Sequence, residues 1–254
     1  WAALAEIIIG SIGLIIFYQI NGYSIFKWRI SWSRAKELLN QSWPLILSGL
    51  AIMIYMKIDQ VMLGQMIGDF SVGIYTAATK LSEVWYFIPT AIVASVTPAI
   101  YDAKKISETI YYQRIQKLFN ILVIIAYVVA IPMTFLSGWI VSLVYGNEYS
   151  SAGPVLAGHI WSAVFVFLGV ARTPWIVSEG LMKFQLATTL LGMIVNIILN
   201  YILILLYGPL GAAIATLIAY SIATFFSLLL FNRTRIIANI MVKSMTGLWL
   251  LKKN

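Results

Sequence analysis

The chain has 254 residues, of which 61% are hydrophobic and only 10% are charged. An ordinary soluble domain has about 25% charged residues, so this composition excludes that class and predicts an integral membrane protein. In a soluble protein, the net charge of +8 would suggest binding to nucleic acid. In a membrane protein, what matters is which loops carry the positive charges, and we expect no nucleic-acid partner. Because cysteine is absent, disulfides and thiolate metal sites are excluded.

Several apolar stretches are long enough, or nearly long enough, to cross a bilayer as helices. A transmembrane helix needs about 20 apolar residues to span a hydrocarbon core about 30 Å thick. The stretches are residues 1–20, 44–66, 84–100, 118–144, 154–178, 184–207 and 210–231. The alternation typical of transmembrane strands is absent, so the sequence predicts an all-α, polytopic helix bundle with about seven transmembrane helices.

The positive charges alternate between the connections. Of the 17 lysines and arginines, 15 lie in or beside the first, third and fifth connections or in the C-terminal tail, and the other two are Lys57 and Lys80. Positively charged loops stay in the cytoplasm, so the first helix is predicted to run from outside to inside and the C-terminus to be cytoplasmic. Lys80 falls in an outer connection, and we expect Glu83 to be hydrated near an outer helix end. The basic, amphipathic stretches 23–39 and 236–251 are predicted to lie on anionic lipid headgroups.

The second span contains two charges and an amide. A charge near the bilayer centre costs about 2.5–3.5 kcal/mol, so it is usually paired or functional. Lys57 shares a helix face with Gln60, which makes both candidates for lining a substrate cavity, with a structural role left open for Lys57. Asp59 points about 200° away, and we expect it to hydrogen-bond to a neighbouring helix through Lys80 or a hydroxyl.

Four further polar residues fall within the later spans. Asn196 and Asn200 are spaced i, i+4 and share a face, which favours helix packing over lining a cavity. Arg172 precedes Pro174, where a kink could turn the guanidinium into a cavity, or the side chain could snorkel to the inner headgroups. His159, the single histidine, could couple transport to protons, although a lone interfacial histidine without such a role is the more common case.

No catalytic constellation emerges from these residues. One histidine without cysteine excludes most triads and metal sites. A GxxxxGK phosphate loop is also absent, which excludes a P-loop ATPase. The sequence therefore predicts a protein that is not an enzyme and that needs no cofactor or metal.

Two blocks of the sequence contain motifs in a recognisable order. The first block consists of Ile58-Asp59-Gln60, Met62-Leu63-Gly64, Val72-Gly73-Ile74-Tyr75, Ala77-Ala78 and Trp85-Tyr86-Phe87-Ile88-Pro89 leading to Pro98. The second runs from Asn196-Ile197-Ile198-Leu199-Asn200 through Tyr207-Gly208 to Gly211-Ala212-Ala213-Ile214-Ala215-Thr216. In this order and spacing the motifs resemble the Wzx-like polysaccharide biosynthesis flippases of the MATE-like (MOP) superfamily. The resemblance covers about residues 40–235.

The resemblance implies two lobes of six helices around a central cavity. Residues 1–20 would then be the last helix of a first lobe missing from this sequence, and 21–43 a basic amphipathic cytoplasmic connector. Residues 44–231 would form the complete second lobe, and 232–254 a basic amphipathic cytoplasmic tail. The implied location is a bacterial inner membrane. The implied partners are a lipid-linked oligosaccharide, membrane lipids and the first lobe, with the polysaccharide polymerase machinery as a further candidate.

The function implied by the resemblance is flipping of a polyprenyl-diphosphate-linked oligosaccharide for O-antigen, capsule or exopolysaccharide assembly. Our hypothesis is that Lys57 and Arg172 attract its diphosphate. The alternatives are a cation-coupled multidrug exporter of the same superfamily, a membrane enzyme that acts on glycans, and a truncated protein without transport activity. The basic character of Lys57 argues against the exporter, whose site should be acidic or aromatic. The sparse outer charges argue against the enzyme.

Overall fold

A computed structural model describes residues 2–24 and 31–247. In that part of the chain every regular element is helical, which confirms the predicted all-α polytopic class. The α-helices are α1 Ala2–Ile20, α2 Trp32–Ile67, α3 Asp69–Glu83, α4 Phe87–Ile106, α5 Glu108–Tyr145, α6 Ala152–His159, α7 Ser162–Ser178, α8 Met182–Ser221, α9 Ser227–Leu229 and α10 Arg235–Met245. A 3₁₀ turn, Val84–Tyr86, joins α3 to α4, and a π-helix, Ile222–Phe226, joins α8 to α9.

Five helical stretches within the described residues are long and apolar enough to cross a membrane. They are Trp32–Ile67, Asp69–Ile106, Glu108–Tyr145, Ala152–Ser178 and Met182–Leu229. The last stretch covers the sixth predicted span and almost all of the seventh. Gly208, with φ 58° and ψ −136°, bends the stretch sharply between the two spans. The first predicted span corresponds to α1, within which Ile7–Ile20 forms a shorter apolar helix.

The predicted limits of the third span, residues 84–100, were wrong. The helical stretch already begins at Asp69, directly after Gly68, whose φ of 96° lets the chain reverse within one residue. Residues 69–83 therefore form a helix rather than a connection. Their small and polar side chains obscured this in the sequence, but Ile74, Tyr75 and Ala78 are buried against the protein.

The described residues divide into two compact units, one ending at Ser42 and the other beginning at Trp43. The first unit contains α1 and the start of α2. The second contains everything from Trp43 onward, and its core is a cluster of apolar side chains from α4, α5, α7 and α10, among them Phe119, Leu122 and Phe167.

The C-terminal helix α10 differs from the prediction of a helix lying on lipid. Its apolar residues Ile237, Ala238 and Met241 are buried in the core of the second unit. Gln116 of α5 also donates a hydrogen bond to the hydroxyl of Ser244 at 2.7 Å. The apolar face of α10 therefore packs against protein. Parts of the predicted connector 21–43 and tail 232–254, namely residues 25–30 and 248–254, lie outside the described residues.

Candidate functional site

A cluster of polar side chains is buried inside the second unit, around Asp59. The Asp59 carboxylate accepts hydrogen bonds from the Tyr75 hydroxyl and the Thr216 hydroxyl, both at 2.6 Å, and from the Asn200 amide. The Asn200 amide also donates to Asn196 Oδ1 at 3.1 Å. Asp59 is 3% exposed, and both asparagines are fully buried. The cluster therefore joins α2, α3 and both arms of α8, on either side of Gly208.

The α2–α3 turn determines this geometry. Gly68 reverses the chain, so residues at similar distances along the two helices meet side by side. Asp59 lies about 14 Å before the turn and Tyr75 about 10 Å after it, at 1.5 Å per residue. Sequence reasoning singled out Asp59, Asn196 and Asn200, but it treated them as separate features. It missed Tyr75 and Thr216. Tyr75 lies about as far after Gly68 as Asp59 lies before it, and Thr216 lies as far after Gly208 as Asn200 lies before it, so these distances could have indicated both residues.

His159 lies beside this cluster and is buried. It is 3% exposed, and its Nδ1 is 2.6 Å from the Ser82 hydroxyl. Its ring also makes an edge-on contact with the Tyr75 ring, with centroids 6.0 Å apart. His159 therefore holds α6 against α3, whereas its predicted position near an outer helix end and its role in proton coupling stay predictions.

The opposite side of the α2–α3 hairpin is exposed and charged. Lys57 and Lys80 are both exposed, whereas Gln60 and Glu83 are half-buried. Lys57 and Lys80 lie roughly 16–18 Å from Gly68 along their helices, so the two residues are at similar distances from the turn. Glu83 lies about one turn further along and is within electrostatic range of Lys57. Lys80 therefore lies in a helix rather than in a connection, and Glu83 lies within the helical stretch Asp69–Ile106 rather than at its end.

Arg172 on α7 is buried at 2% exposure. Its Nη1 donates to the Thr224 carbonyl at 3.0 Å, and its Nη2 donates to Gln185 Oε1 at 2.7 Å. Thr224 lies in the π-helix, whose wide turns leave carbonyl groups available for outside donors. The guanidinium thus holds α7 against the first arm of α8 and against the π-helix that follows the second arm, and it does not snorkel to the headgroups.

A cavity of about 200 Å³ lies next to Arg172. Its lining includes the tyrosines Tyr55, Tyr86 and Tyr220, whereas Lys57 is not part of it. The Nε of Arg172 and the hydroxyl of Tyr55 are buried without a hydrogen-bond partner. The cavity can therefore offer two free donors to a small acceptor group.

A second charged cluster lies where α7 meets α8. Glu179 accepts a hydrogen bond from Lys104 at 2.6 Å and lies 3.4 Å from an Arg233 nitrogen. Partial burial alone would raise the pKa of Glu179. The hydrogen bond and charge of Lys104, together with Arg233, outweigh burial and lower that pKa below its ordinary value. The cluster joins the end of α4 to the α7–α8 connection and to the segment before α10.

The chemistry of these sites is that of binding and positioning. Among the described residues, no group of three His, Cys, Asp or Glu side chains could hold a metal ion. The polar side chains instead lie at membrane depth, where they join helices or face an exposed surface. Long apolar helices that carry a few buried polar clusters and charges identify a polytopic membrane protein.

Comparison with known proteins gives the family. Residues 1–154 match the polysaccharide biosynthesis protein family, and the chain belongs to that family. A probable flippase, AglR, from the archaeon Haloferax volcanii is 30% identical over 234 residues, covering 87% of this chain and 46% of the relative. A probable low-salt glycan biosynthesis flippase, Agl15, from the same organism is 26% identical, covering 76% of this chain and 41% of the relative. A putative O-antigen transporter from Shigella dysenteriae is 23% identical, covering 75% of this chain and 48% of the relative.

The chain spans about half the length of these relatives, or somewhat less. The relatives are named as flippases or transporters rather than as enzymes.

Proposed function

We propose that this chain forms part of a transporter that flips a lipid-linked oligosaccharide, of the polyprenyl-diphosphate type, across the plasma membrane for cell-surface polysaccharide assembly. Family membership supports the class of activity, and the names of the relatives support the glycan substrate. Because the matched relatives are about twice as long, the activity belongs to the whole transporter, of which this chain supplies one portion.

The observation that carries the proposal is the pair of lysines at the middle of the α2–α3 hairpin. Lys57 and Lys80 are exposed at similar depth, and neither has a carboxylate within 4.0 Å in the described part of the chain. Exposure of such charges to lipid would cost about 2.5–3.5 kcal/mol each, so this face is better placed against a water-filled path. Two cations there attract an anionic group at mid-membrane, and the diphosphate of a glycolipid is such a group.

The roles of the remaining residues follow from their surroundings. Gln60, half-buried next to Lys57, is placed to hydrogen-bond to sugar or phosphate oxygens at the edge of the path. Arg172 acts first as a structural clamp on the π-helix, and its free Nε gives the neighbouring cavity a second, weaker anion site. We therefore propose that Lys57 and Lys80, rather than Lys57 and Arg172, attract the diphosphate.

The arrangement of the whole transporter is part of the proposal. Residues 44–231 would form one six-helix lobe, and 1–20 would belong to a preceding lobe that closes the path. The connector 21–43 and the tail 232–254 would lie on the cytoplasmic side, as the distribution of lysine and arginine favours. A polysaccharide polymerase that receives the flipped glycan would be a further partner.

The test uses the longest natural chain that contains this sequence, reconstituted in liposomes with a polyprenyl-diphosphate oligosaccharide. We expect transbilayer movement of the glycolipid, and a loss of at least about tenfold in Lys57→Ala and Lys80→Ala, since each removes an ionic contact worth about 1.5–3 kcal/mol. The matched control is Lys105→Ala, which removes an equal charge from a pair with Asp102 that lies outside the hairpin.

Efflux of a cationic dye is measured in parallel. Dye efflux without glycolipid movement would replace the proposal with the multidrug exporter. Normal glycolipid movement in both lysine variants would show that this face of the hairpin does not line the substrate path.

A further inference from the structure

Arg172 carries a buried positive charge that no acidic side chain balances. Its guanidinium donates hydrogen bonds to the Thr224 carbonyl and to the Gln185 side-chain oxygen, and both acceptors are neutral. The guanidinium also lies over the Phe184 ring, 6.0 Å from the ring centre, which is a weak attraction for a cation. None of the ion pairs in the described part of the chain includes Arg172. A buried cation that is hydrogen-bonded but not neutralised favours an anion beside it.

One donor of this guanidinium remains free. A guanidinium has five N–H groups in a fixed plane, and the two shortest hydrogen bonds of Arg172 use its two Nη atoms. Its Nε is buried without a hydrogen-bond partner among the described residues, and the same is true of the Tyr55 hydroxyl. Both side chains line the cavity of about 200 Å³. An oxyanion there would accept a charge-assisted hydrogen bond from Arg172 and a second hydrogen bond from Tyr55.

Much of the remaining lining of the cavity is apolar. Val166 and Val170 of α7 face Ile52 and Met56 of α2 across it. Of the lining residues, Ile52 and Thr173 are exposed, which places the mouth of the cavity beside them. Both belong to helical stretches that are long and apolar enough to cross a membrane, so a lipid molecule can enter there. Pockets for drug-sized ligands measure about 300–1,000 Å³, so this smaller cavity suits a head group and the first part of an apolar chain.

The cavity lies on the opposite side of α2 from Lys57. Ile52, Tyr55 and Asp59 are spaced i, i+3 and i+7, so they share one face of the helix. Lys57 projects about 200° around the helix from Tyr55, and it does not line the cavity. The cavity is therefore distinct from the exposed lysine face, and an inference about it does not rest on the glycolipid.

We propose that this cavity binds an oxyanion carried on an apolar chain, either a lipid carboxylate or a lipid phosphate, with its head held by Arg172 and Tyr55. Its chain would run past the apolar walls toward the mouth beside Ile52 and Thr173. A free inorganic anion would gain nothing from the apolar walls. An uncharged lipid would leave the charge of Arg172 unbalanced.

Occupancy would act on the position of α2. The lining comes from α2, from α7 and from both arms of α8, which contribute Gln185 before the bend and Tyr220 after it. A lipid bound in the cavity therefore contacts all of these segments at once. It should stabilise the position of α2 against α7 and α8.

The first experiment measures thermal unfolding of the longest natural chain that contains this sequence, in a neutral detergent, with four additives at equal concentration and ionic strength. Dodecanoate and dodecyl phosphate have both an oxyanion and a chain, dodecanol has the chain alone, and inorganic phosphate has the charge alone. At about 100 times its Kd, each charged amphiphile should raise the Tm by about 3 °C or more. Dodecanol and inorganic phosphate should have little effect. The larger of the two shifts identifies the preferred head group.

Saturable binding of the more effective amphiphile, in radioactive form, gives its affinity as a second readout. Tyr55→Phe removes a hydroxyl that has no hydrogen-bond partner in the described structure, so it should leave the fold intact and weaken binding about tenfold or more. The matched control is Tyr201→Phe, because that ring is 63% exposed and does not line the cavity. Arg172→Gln should abolish binding, whereas Arg114→Gln, which changes an exposed guanidinium, should not.

Equal Tm shifts with dodecanol and with the charged amphiphiles would overturn the proposal, because the cavity would then bind any apolar chain. An equal shift with inorganic phosphate would overturn it as well, because the chain would then contribute nothing. So would the absence of saturable binding, or an affinity that Tyr55→Phe leaves unchanged.

Discussion

Helices are joined in two different ways within the second unit, and the contrast is clear between α7 and α2. The α7 helix packs through apolar side chains such as Phe167 and Leu168, both fully buried against α5 and its neighbours. The part of α2 in this unit exposes apolar residues, among them Leu50 and Met53, and meets α3 and α8 through the Asp59 cluster.

The physics of the bilayer explains what each interface can do. Lipid tails are as apolar as leucine, so close packing and hydrogen bonds hold membrane helices together rather than a hydrophobic driving force. The α5–α7 interface gains dispersion contacts over its whole length and is suited to a rigid scaffold. The α2 interface combines fewer apolar contacts, such as that of the fully buried Leu63, with directional hydrogen bonds, which specify one position but can also be exchanged. Helix α2 is thus the element of this unit best suited to move.

The largest effect on stability is expected from the apolar interface. Phe167→Ala removes a fully buried ring and leaves a cavity, at a cost of about 3–5 kcal/mol in the free energy of unfolding. Unfolding by sodium dodecyl sulfate in mixed micelles measures this. Phe135→Ala is the matched control, because that ring is 82% exposed on the outside of α5 and should change stability little. Equal losses in the two variants would contradict the assignment of the core.

The next effect concerns the polar interface. Asp59→Ala should destabilise the chain by about 2–3 kcal/mol, because it leaves the Tyr75, Thr216 and Asn200 donors without their acceptor. Asp59→Asn should cost less, since its amide oxygen keeps one acceptor. The same micelle titration measures both. A stability change in Asp59→Ala no larger than in Asp102→Ala would indicate that α2 is held by other contacts.

The difference between the interfaces also explains what the sequence could reveal. Long apolar runs predicted most of the spans, because composition alone determines whether a helix can enter lipid. The polar character of Asp59, Asn196 and Asn200 at apolar positions identified three residues of the cluster, whereas Tyr75 and Thr216 were missed. It did not identify their meeting point, which depends on how α2, α3 and α8 turn in space.

Two errors had one physical cause. Helix α3 consists largely of small and polar residues, so hydropathy favoured a connection that contained Lys80, with Glu83 at the start of the next helix. Tyr75 and Ser82 are buried against other helices, so protein contacts stabilise α3 although its sequence has no long apolar run. The hydrogen bond between Arg172 and Thr224 could not be predicted from the sequence either, because it depends on a π-helix, which hydrophobic periodicity does not reveal.

The bend in α8 connects the two arms that reach Asp59. A change at this bend should have a smaller effect on stability than loss of the Asp59 carboxylate. Gly208 has φ 58° and ψ −136°, a conformation that a side chain makes unfavourable, so Gly208→Ala should destabilise the chain by about 1–3 kcal/mol. Gly49→Ala is the control, because Gly49 is helical and a Cβ there meets nothing within 4 Å. That control should be neutral or stabilising by up to about 1 kcal/mol. Equal destabilisation in both variants would contradict the strain assigned to the bend.

The smallest effect is expected at the exposed end of the rigid scaffold, where Glu179 joins Lys104 and Arg233. Glu179→Gln should cost about 1 kcal/mol or less, because the ion pairs are only partly buried. The folded state lowers the pKa of Glu179 below its ordinary value of 4.5, so the charged form contributes its full stabilisation above that pH. That contribution is lost as the pH falls through the lower, folded-state pKa.

The measurement is the difference in unfolding free energy between the unmodified chain and Glu179→Gln, followed from pH 7 to about pH 3. It should be constant at neutral pH and decrease toward zero in acid, since protonated glutamate and glutamine then resemble each other. Glu148→Gln, at an exposed position without an ion pair in the described residues, should show almost no difference at any pH. A Glu179 difference that grows in acid would have the wrong sign for a carboxylate stabilised by cations, and the Lys104–Glu179–Arg233 cluster would then not be what joins α4 to the α7–α8 connection.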